Sequence, residues 1–137
     1  MDKTIKTILT FFILFACFSF NAEAKKRPQI HFEKTVVDFG KFSSEEPIQK
    51  AKFKFTNTGQ GNLVINYVHT SCGCTVADFT KDVIRPGASG YIYVTYDGKG
   101  KYPGKFKKHI QVFTNCSDEV TVLYIQGDMT ALVKENK

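Results

Sequence analysis

Apolar and polar residues alternate with a period of two along most of the chain. In the clearest segment Ala51, Phe53 and Phe55 share one parity, while lysines and a threonine occupy the other. Similar alternation or short apolar runs occur at residues 30–33, 37–39, 63–67, 91–96, 106–112 and 120–125. This period is typical of half-buried β-strands, and no window has the spacing of an amphipathic helix. The pattern therefore predicts an all-β protein.

Turn residues separate these segments at intervals of roughly 8–12 residues, as in small β-sandwiches. Loops rich in glycine at residues 57–62 and 97–104 are typical of hairpins between neighbouring strands. About seven or eight strands with this spacing predict a single two-sheet, immunoglobulin-like sandwich. A small closed barrel is the alternative.

The first 24 residues have the pattern of a secretory signal peptide. Lys3 and Lys6 precede an apolar stretch from Ile8 to Phe20, and Ala22-Glu23-Ala24 predicts cleavage after Ala24. The apolar stretch is shorter than the roughly 20 residues of a membrane-spanning helix, so the mature chain should lack a transmembrane segment. Lipidation at Cys17 is a second interpretation, because the residues before it resemble a bacterial lipobox. Both interpretations predict export.

The chain then divides into four parts. Residues 1–24 are the predicted signal peptide, 25–33 a lead-in with room for a first strand, 34–128 the sandwich domain and 129–137 a C-terminal tail. The formal net charge is +6, and removal of the leader leaves it unchanged because the leader carries two lysines and two acidic residues. Positive charge favours anionic partners, but nucleic acid is not expected for an exported domain.

A group of lysines surrounds Tyr102 in the second half of the chain. Either these lysines contact an anionic partner, or they protect an edge strand from pairing with another chain, which we favour. They are Lys99, Lys101, Lys105, Lys107 and Lys108.

Three cysteines follow the predicted leader: Cys72, Cys74 and Cys116. An odd number in an oxidising compartment leaves one unpaired or paired outside the chain. A Cys72–Cys74 disulfide would close a very tight ring, which Gly73 would permit by accepting backbone angles that other residues resist. Such a bond would be strained and easily reduced, so thiol exchange is one function of this Cys-x-Cys motif. A purely structural turn is the main alternative.

Metal binding is a further alternative for the same segment. His69, Cys72 and Cys74 offer one imidazole and two soft sulfur donors, which suit Cu or Zn. The spacing departs from that of common zinc sites, and a fourth ligand would have to be the distant Cys116 or His109.

The position of Cys116 depends on residues 75–79. If these residues form a strand that reverses, Cys116 lies at the opposite end of the sandwich from Cys72. If they continue the preceding strand after a bulge, the two cysteines share one end, and Gly73 favours such a bulge.

Several segments resemble the domain-of-unknown-function 1573 family over about residues 34–127. They are Phe53-Lys54-Phe55-Thr56-Asn57-Thr58-Gly59, Leu63-Val64-Ile65, Ser71-Cys72-Gly73-Cys74-Thr75, Arg85-Pro86-Gly87, Val94-Thr95-Tyr96-Asp97, Gly104-Lys105-Phe106-Lys107-Lys108, Val112-Phe113-Thr114-Asn115 and Ile125-Gln126-Gly127. The resemblance implies an exported protein of the Gram-negative periplasm or envelope, with a sandwich similar to major-sperm-protein and PapD-type domains. It implies no established activity. Its hallmark residues are Cys72 and Cys74, and Cys116 is not part of the family pattern.

No Ser-His-Asp order, paired carboxylates or phosphate-binding glycine loop is present, so we assign no catalytic residue and no cofactor apart from the metal alternative. We therefore predict a non-enzymatic binding module of the cell envelope, with an envelope protein or glycan as its partner. The alternative is a thiol-redox or Cu/Zn-binding protein that uses Cys72-Gly73-Cys74.

Overall fold

The computed structural model describes residues 25–116 and 120–131. The predicted signal peptide, its cleavage site at Ala24 and the lipidation alternative at Cys17 lie outside these residues. Within them, no helix is long and apolar enough to cross a membrane.

The described residues form eight β-strands and no helix, which confirms the all-β prediction. The alternation of residue type explains the strands, because apolar residues of one parity are buried while the other parity faces solvent. Thus Phe53 and Phe55 are fully buried, whereas Lys52, directly before Phe53, is exposed and Lys54 between them is only half-buried. The strands are β1 (Ile30–Phe32), β2 (Val36–Ser43), β3 (Ile48–Asn57), β4 (Ile65–Thr70), β5 (Thr75–Phe79), β6 (Ser89–Asp97), β7 (Gly104–Thr114) and β8 (Thr121–Thr130).

The strands build two four-stranded sheets, in the orders β1-β3-β6-β5 and β2-β8-β7-β4. All pairings are antiparallel except that of β2 with β8. One hydrophobic core fills the space between the sheets, and both sheets contribute to it, as Ile92 of β6 and Ile110 of β7 show. The predicted sandwich is therefore confirmed.

Both predicted hairpins are wrong, because each glycine-rich loop joins strands of different sheets. Strands β3 and β4, on either side of residues 57–62, belong to opposite sheets, as do β6 and β7 around residues 97–104. At the first loop the fully buried Asn57 side chain donates hydrogen bonds to the carbonyls of Gly61 (2.7 Å) and Ile84 (2.9 Å). These bonds hold the loop across the end of the sandwich.

One boundary differs from the prediction. Strand β8 continues to Thr130, because Met129 is buried and pairs with Gly104, so residues 129 and 130 belong to the sandwich. Within the predicted lead-in, residues 30–32 form β1, the first strand for which the prediction left room.

The segment before β1 also lies against the domain. Arg27 accepts hydrogen bonds from the backbone N–H groups of Gln60 (2.9 Å) and Gly61 (3.1 Å). A Cβ atom on Gly59 would lie 2.4 Å from the nitrogen of Gln29, so only glycine allows this approach.

The proposed role of the lysines as edge protection is wrong for those on β7. This strand lies between β8 and β4 in the interior of its sheet, where Lys105 and Lys107 project from the outer face and the half-buried Lys108 has the parity of the core residue Ile110.

Candidate functional site

The Cys72-Gly73-Cys74 segment is the connection between β4 and β5, and it therefore passes from one sheet to the other. The N–H of Thr75 donates to the carbonyl of Cys72 at 3.0 Å, which closes a β-turn. The N–H of Asp97, at the end of β6, donates to the carbonyl of Cys74 at 2.8 Å. The turn is thus tied by backbone hydrogen bonds to the end of the sandwich.

The sulfurs of Cys72 and Cys74 form a disulfide, and the two Cα atoms are 5.1 Å apart. The two cysteines have different surroundings. The N–H of Cys74 lies 3.1 Å from the sulfur of Cys72. Cys74 packs against the hydrophobic core, whereas Cys72, also half-buried, is not among the described residues of that cluster.

The expected reason for Gly73 is wrong. Its φ angle is outside the left-handed region, and a Cβ atom built on it would meet no heavy atom within 4 Å beyond its neighbours in the chain. The turn therefore does not require the conformational freedom of glycine. Gly73 is exposed, so the outer side of the turn is open to solvent.

The structure also decides the position of Cys116. Strand β5 belongs to the other sheet and runs antiparallel to β6, so residues 75–79 reverse the chain and the bulge interpretation is wrong. Cys116 follows β7 at the end where Thr114 pairs with Ile65, and Cys72 follows β4 at the other end. Cys116 therefore cannot pair with the turn cysteines. It is unpaired among the cysteines that the structure describes.

A cavity of about 490 Å³ separates the N-terminal segment from the ends of β7 and β8. Cys116 contributes to its wall, together with Arg27, Pro28 and Thr121. The thiol of Cys116 packs against the hydrophobic core, so its surroundings are those of a small apolar residue.

His69 lies on the outer face of β4, where it is exposed and pairs with Gln111 of β7. No group of three or more histidine, cysteine or acidic residues in the described part of the chain is arranged to hold a metal ion. In the oxidised state both sulfurs of the turn are in the disulfide, so neither is a thiolate ligand. The donor set therefore does not fit Cu or Zn in this state, and metal binding by the reduced protein stays a prediction.

One surface feature was not predicted from the sequence. On the outer face of the sheet, the rings of Tyr67 and Phe113 stack with their centroids 4.1 Å apart and their planes 13° from parallel. Tyr67 belongs to β4, which is an edge strand, and its side chain is 53% exposed. Its parity with the buried Leu63 and Ile65 would place Tyr67 in the core, but the register shift between Ile65 and Tyr67 turns the ring to the outer face, which the sequence does not indicate.

A shallow cavity of about 590 Å³ lies on the same sheet, over β2, β8 and β7. Its charged lining residues are Asp38, Lys41, Lys105, Lys107 and Asp128. Hydrogen bonds to the Asp38 carboxylate from the Gln126 amide (2.8 Å) and the Gly40 N–H (2.7 Å) hold its pKa below the ordinary value. The mixture of signs gives this cavity no preference for one ligand charge.

Comparison with known proteins supports the resemblance. The family described as a protein of unknown function, DUF1573, matches residues 30–129. No curated protein matches the chain by sequence. A crystal structure of a protein of unknown function from Porphyromonas gingivalis W83 has a TM-score of 0.67 and 19% identity. The match covers 80% of this chain and 51% of that one, so the chain spans about half the length of that protein.

Two further structures share the fold at lower identity. The PapD-like domain 7 of human CEP192 has a TM-score of 0.60 and 7% identity, with 77% of this chain and 88% of that chain covered. The periplasmic chaperone SfaE has a TM-score of 0.52 and 10% identity, with 77% and 60% covered. These likenesses show a PapD-like sandwich and carry no further conclusion.

Proposed function

The chain belongs to the DUF1573 family, and from that premise we propose that it is a non-enzymatic binding module that takes up an extended polypeptide. The polypeptide would add as a further strand beside β4. Backbone hydrogen bonds would supply affinity, and side chains on alternate positions would supply specificity.

The observation that carries this proposal is the direction of the backbone groups of β4. The N–H of Ser71 donates to the carbonyl of His109 at 3.2 Å, so this pair is hydrogen-bonded in the antiparallel ladder. Because bonded and non-bonded pairs alternate, His69 and Tyr67 also point their backbone groups toward β7. The N–H and C=O groups of Val68 and Thr70 therefore point away from the sheet.

The corresponding edge on β5 is less open. Its outward residues are Thr75, Ala77 and Phe79, by the same alternation. Both backbone groups of Thr75 are used within the turn region, since its carbonyl accepts the Thr70 hydroxyl at 2.9 Å. The N–H of Phe79 donates to the Asp78 carboxylate at 2.8 Å. The outward groups of β5 that remain for a partner are the N–H and C=O of Ala77 and the C=O of Phe79.

The two other edges are also poor templates. Strand β1 has three residues, and β2 carries an irregularity between Asp38 and Lys41 where the Gly40 N–H bonds to Asp38. Short edge strands and bulges are the features by which proteins prevent strand addition. Strand β4 has six residues and also a register shift, between Ile65 and Tyr67, but Val68 and Thr70 follow that shift in regular pairing with β7. They keep two outward pairs of backbone groups, so β4 is the favoured edge.

The surface beside β4 suits an apolar side chain of the partner. The stacked rings of Tyr67 and Phe113 stand on the outer face next to this edge. Val68 contributes to the core side, where it is half-buried. A bound strand would place one side chain against the aromatic pair, and the outward backbone groups of Val68 and Thr70 are what favours a polypeptide over a glycan as the ligand.

We also propose that the protein works in the periplasm or envelope. The signal-peptide pattern supports this location, and so does the disulfide, because disulfides are rare in cytosolic proteins. Cell fractionation with mass measurement of the mature protein tests the proposal. A chain that begins at Lys25 in the envelope fraction is expected, and a lipidated chain that begins at Cys17 would support the second route. A full-length chain in the cytoplasm would refute both.

Binding is tested by selection of ligands from a display library of random ten-residue peptides. Hydrogen exchange should then show that the amides of Val68 and Thr70 become protected in the complex. Val68→Pro removes one outward N–H and should weaken binding at least tenfold. Val68→Ala removes the same packing, keeps the N–H and serves as the matched control, with binding within about threefold.

Two outcomes would count against strand addition. In the first, peptides bind but the exchange rates of Val68 and Thr70 do not change. In the second, the protein binds only glycan fractions of the envelope, which would replace the polypeptide by another ligand class.

A further inference from the structure

The Cys72–Cys74 disulfide has an accessible position that strand addition at β4 does not explain. The turn is exposed at Gly73, and both cysteines are half-buried. Beyond the two cysteines, the space around a Cβ atom at Gly73 is empty to 4 Å. A thiolate of another protein can therefore approach the turn from the solvent side.

The disulfide is also poorly placed to stabilise the fold. It joins residues separated by two positions, and the stabilisation by a disulfide is smallest for the shortest loops in the chain-entropy account. The turn is held instead by backbone bonds, namely those of Thr75 to Cys72 and of Asp97 to Cys74. After reduction these bonds would keep the two thiols close. We infer that Cys72 and Cys74 exchange disulfide bonds with a dithiol of a partner protein.

The surroundings of the two sulfurs give each a different role. The N–H of Cys74 points to the sulfur of Cys72 at 3.1 Å, and such a donor stabilises a thiolate. Cys74 packs against the core and is therefore harder to reach for a large partner. Cys72 is thus the residue that forms the mixed disulfide, and Cys74 is the resolving residue.

The exchange balances in two steps. First, a thiolate of the partner attacks the sulfur of Cys72, the Cys72–Cys74 bond breaks, and Cys74 leaves as a thiolate that takes up a proton. Second, another thiolate of the partner attacks the partner's own sulfur in the mixed disulfide, and Cys72 leaves as a thiolate. The partner dithiol loses two electrons and becomes a disulfide, and the protein gains two thiols. The reverse sequence reduces a partner disulfide.

Oxidation of a peptide dithiol tests the activity. The oxidised mature protein is mixed with a synthetic peptide that carries two cysteines, and formation of the peptide disulfide is followed by alkylation and mass spectrometry. We expect the protein to oxidise the peptide at least tenfold faster than oxidised glutathione at the same concentration. Cys116→Ser should have no effect, because Cys116 lies at the other end of the sandwich. A rate equal to or below that of glutathione would overturn the proposal.

Single variants test the two roles. Reduced Cys74→Ser leaves the thiol of Cys72, which should form a mixed disulfide with an oxidised peptide at least tenfold faster than Cys72→Ser does through Cys74. At the same pH, Cys72 in Cys74→Ser should also be alkylated faster than Cys74 in Cys72→Ser. Equal rates for the two variants, or a faster reaction at Cys74, would refute the assigned roles.

The controls separate loss of reactivity from loss of fold. Each variant is compared with the natural protein by circular dichroism and thermal unfolding, and only variants with unchanged spectra are used. This inference does not depend on strand addition, since the peptide dithiol is free of any selected β4 ligand sequence. Failure of peptide selection at β4 would therefore leave the thiol result unaffected.

Discussion

The N–H of Asp97 donates a 2.8 Å hydrogen bond to the carbonyl of Cys74, so the end of β6 holds the cysteine turn by its backbone. Because Thr75 closes the same turn through the carbonyl of Cys72, the turn keeps its anchors when the sulfur bond is absent. The disulfide can then be made and broken while the sandwich stays folded.

Removal of the disulfide should have little effect on stability. A 15-residue loop would contribute about 3 kcal/mol, and the contribution falls for shorter loops, so we expect Cys72→Ser with Cys74→Ser to change the free energy of unfolding by less than about 1 kcal/mol. Urea denaturation measures this change, with the reduced natural protein as a control. A loss of several kcal/mol in both samples would show that the bond is a structural crosslink.

Replacement of Asn57 should be strongly destabilising. Its buried amide donates to the carbonyls of Gly61 and Ile84, and its oxygen accepts from the N–H groups of Gly59 (3.0 Å) and Gln29 (3.3 Å). Asn57→Ala leaves the buried carbonyl of Ile84 without its partner, which costs about 1–3 kcal/mol, and it also removes three partly buried hydrogen bonds. We expect a total loss of about 3 kcal/mol or more in denaturant unfolding.

The matched control for Asn57 is Asn115. Its exposed side chain also bridges backbone groups, since it bonds to the N–H of Val64 (2.8 Å) and the carbonyl of Asn62 (2.9 Å). Water can replace these bonds, so Asn115→Ala should cost about 1 kcal/mol or less. Equal losses for the two variants would contradict the role given to burial.

Two glycines should respond differently to the same substitution. A Cβ atom on Gly90 would lie 2.5 Å from Cζ of the fully buried Phe55, whereas one on Gly73 would meet nothing within 4 Å beyond its chain neighbours. Overpacking of a core costs about 1–3 kcal/mol, so Gly90→Ala should lower the stability by that amount. Gly73→Ala should stay within about 0.5 kcal/mol of the natural protein in thermal or urea unfolding. A large loss at Gly73 would restore the backbone role that the sequence first indicated.

The contrast between these glycines shows how far the sequence could predict the structure. Alternation at Ala51, Phe53 and Phe55 indicates which residues face the core, because strand geometry places alternate side chains on opposite faces. It follows that the fold class and most of the strands could be predicted. The presence of a glycine in the sequence does not tell whether the fold needs its φ angle, its lack of a side chain or neither. The fold needs the missing side chain at Gly90, where Phe55 fills the space, and needs neither property at Gly73.

The pairing of strands could not be predicted for a similar reason. A loop such as residues 57–62 has the composition of a hairpin, but its course depends on the contact of Asn57 with Ile84, 27 residues away. The open edge of β4 likewise depends on the strand order, in which β7 pairs with β8 on one side and with β4 on the other. Local composition carries neither relationship, so the candidate binding edge became visible only in the folded chain.

The titration of Asp38 should depend on the side chain of Gln126. The Gln126 side chain and, after it, the Gly40 N–H lower the pKa of this carboxyl, because both donate hydrogen bonds to its charged form. A folded-state pKa below the unfolded value means that these bonds stabilise the protein above the unfolded pKa of about 3.9, and that this contribution is lost as the pH falls through the folded pKa.

Gln126→Ala should therefore raise the pKa of Asp38 toward its ordinary value, as followed by carbon NMR of the carboxyl group from pH 7 to 2. Gln111→Ala, at a position on β7 away from Asp38, is the matched control and should leave the titration unchanged. The lowered pKa of the exposed Asp38 is caused by hydrogen bonds to neutral groups. Salt screens ion pairs at an exposed site, so the pKa of Asp38 should change far less in high salt than a pKa lowered by an ion pair would. An unchanged titration in Gln126→Ala would mean that the hydrogen bond from the Gln126 amide to the Asp38 carboxylate does not form in solution.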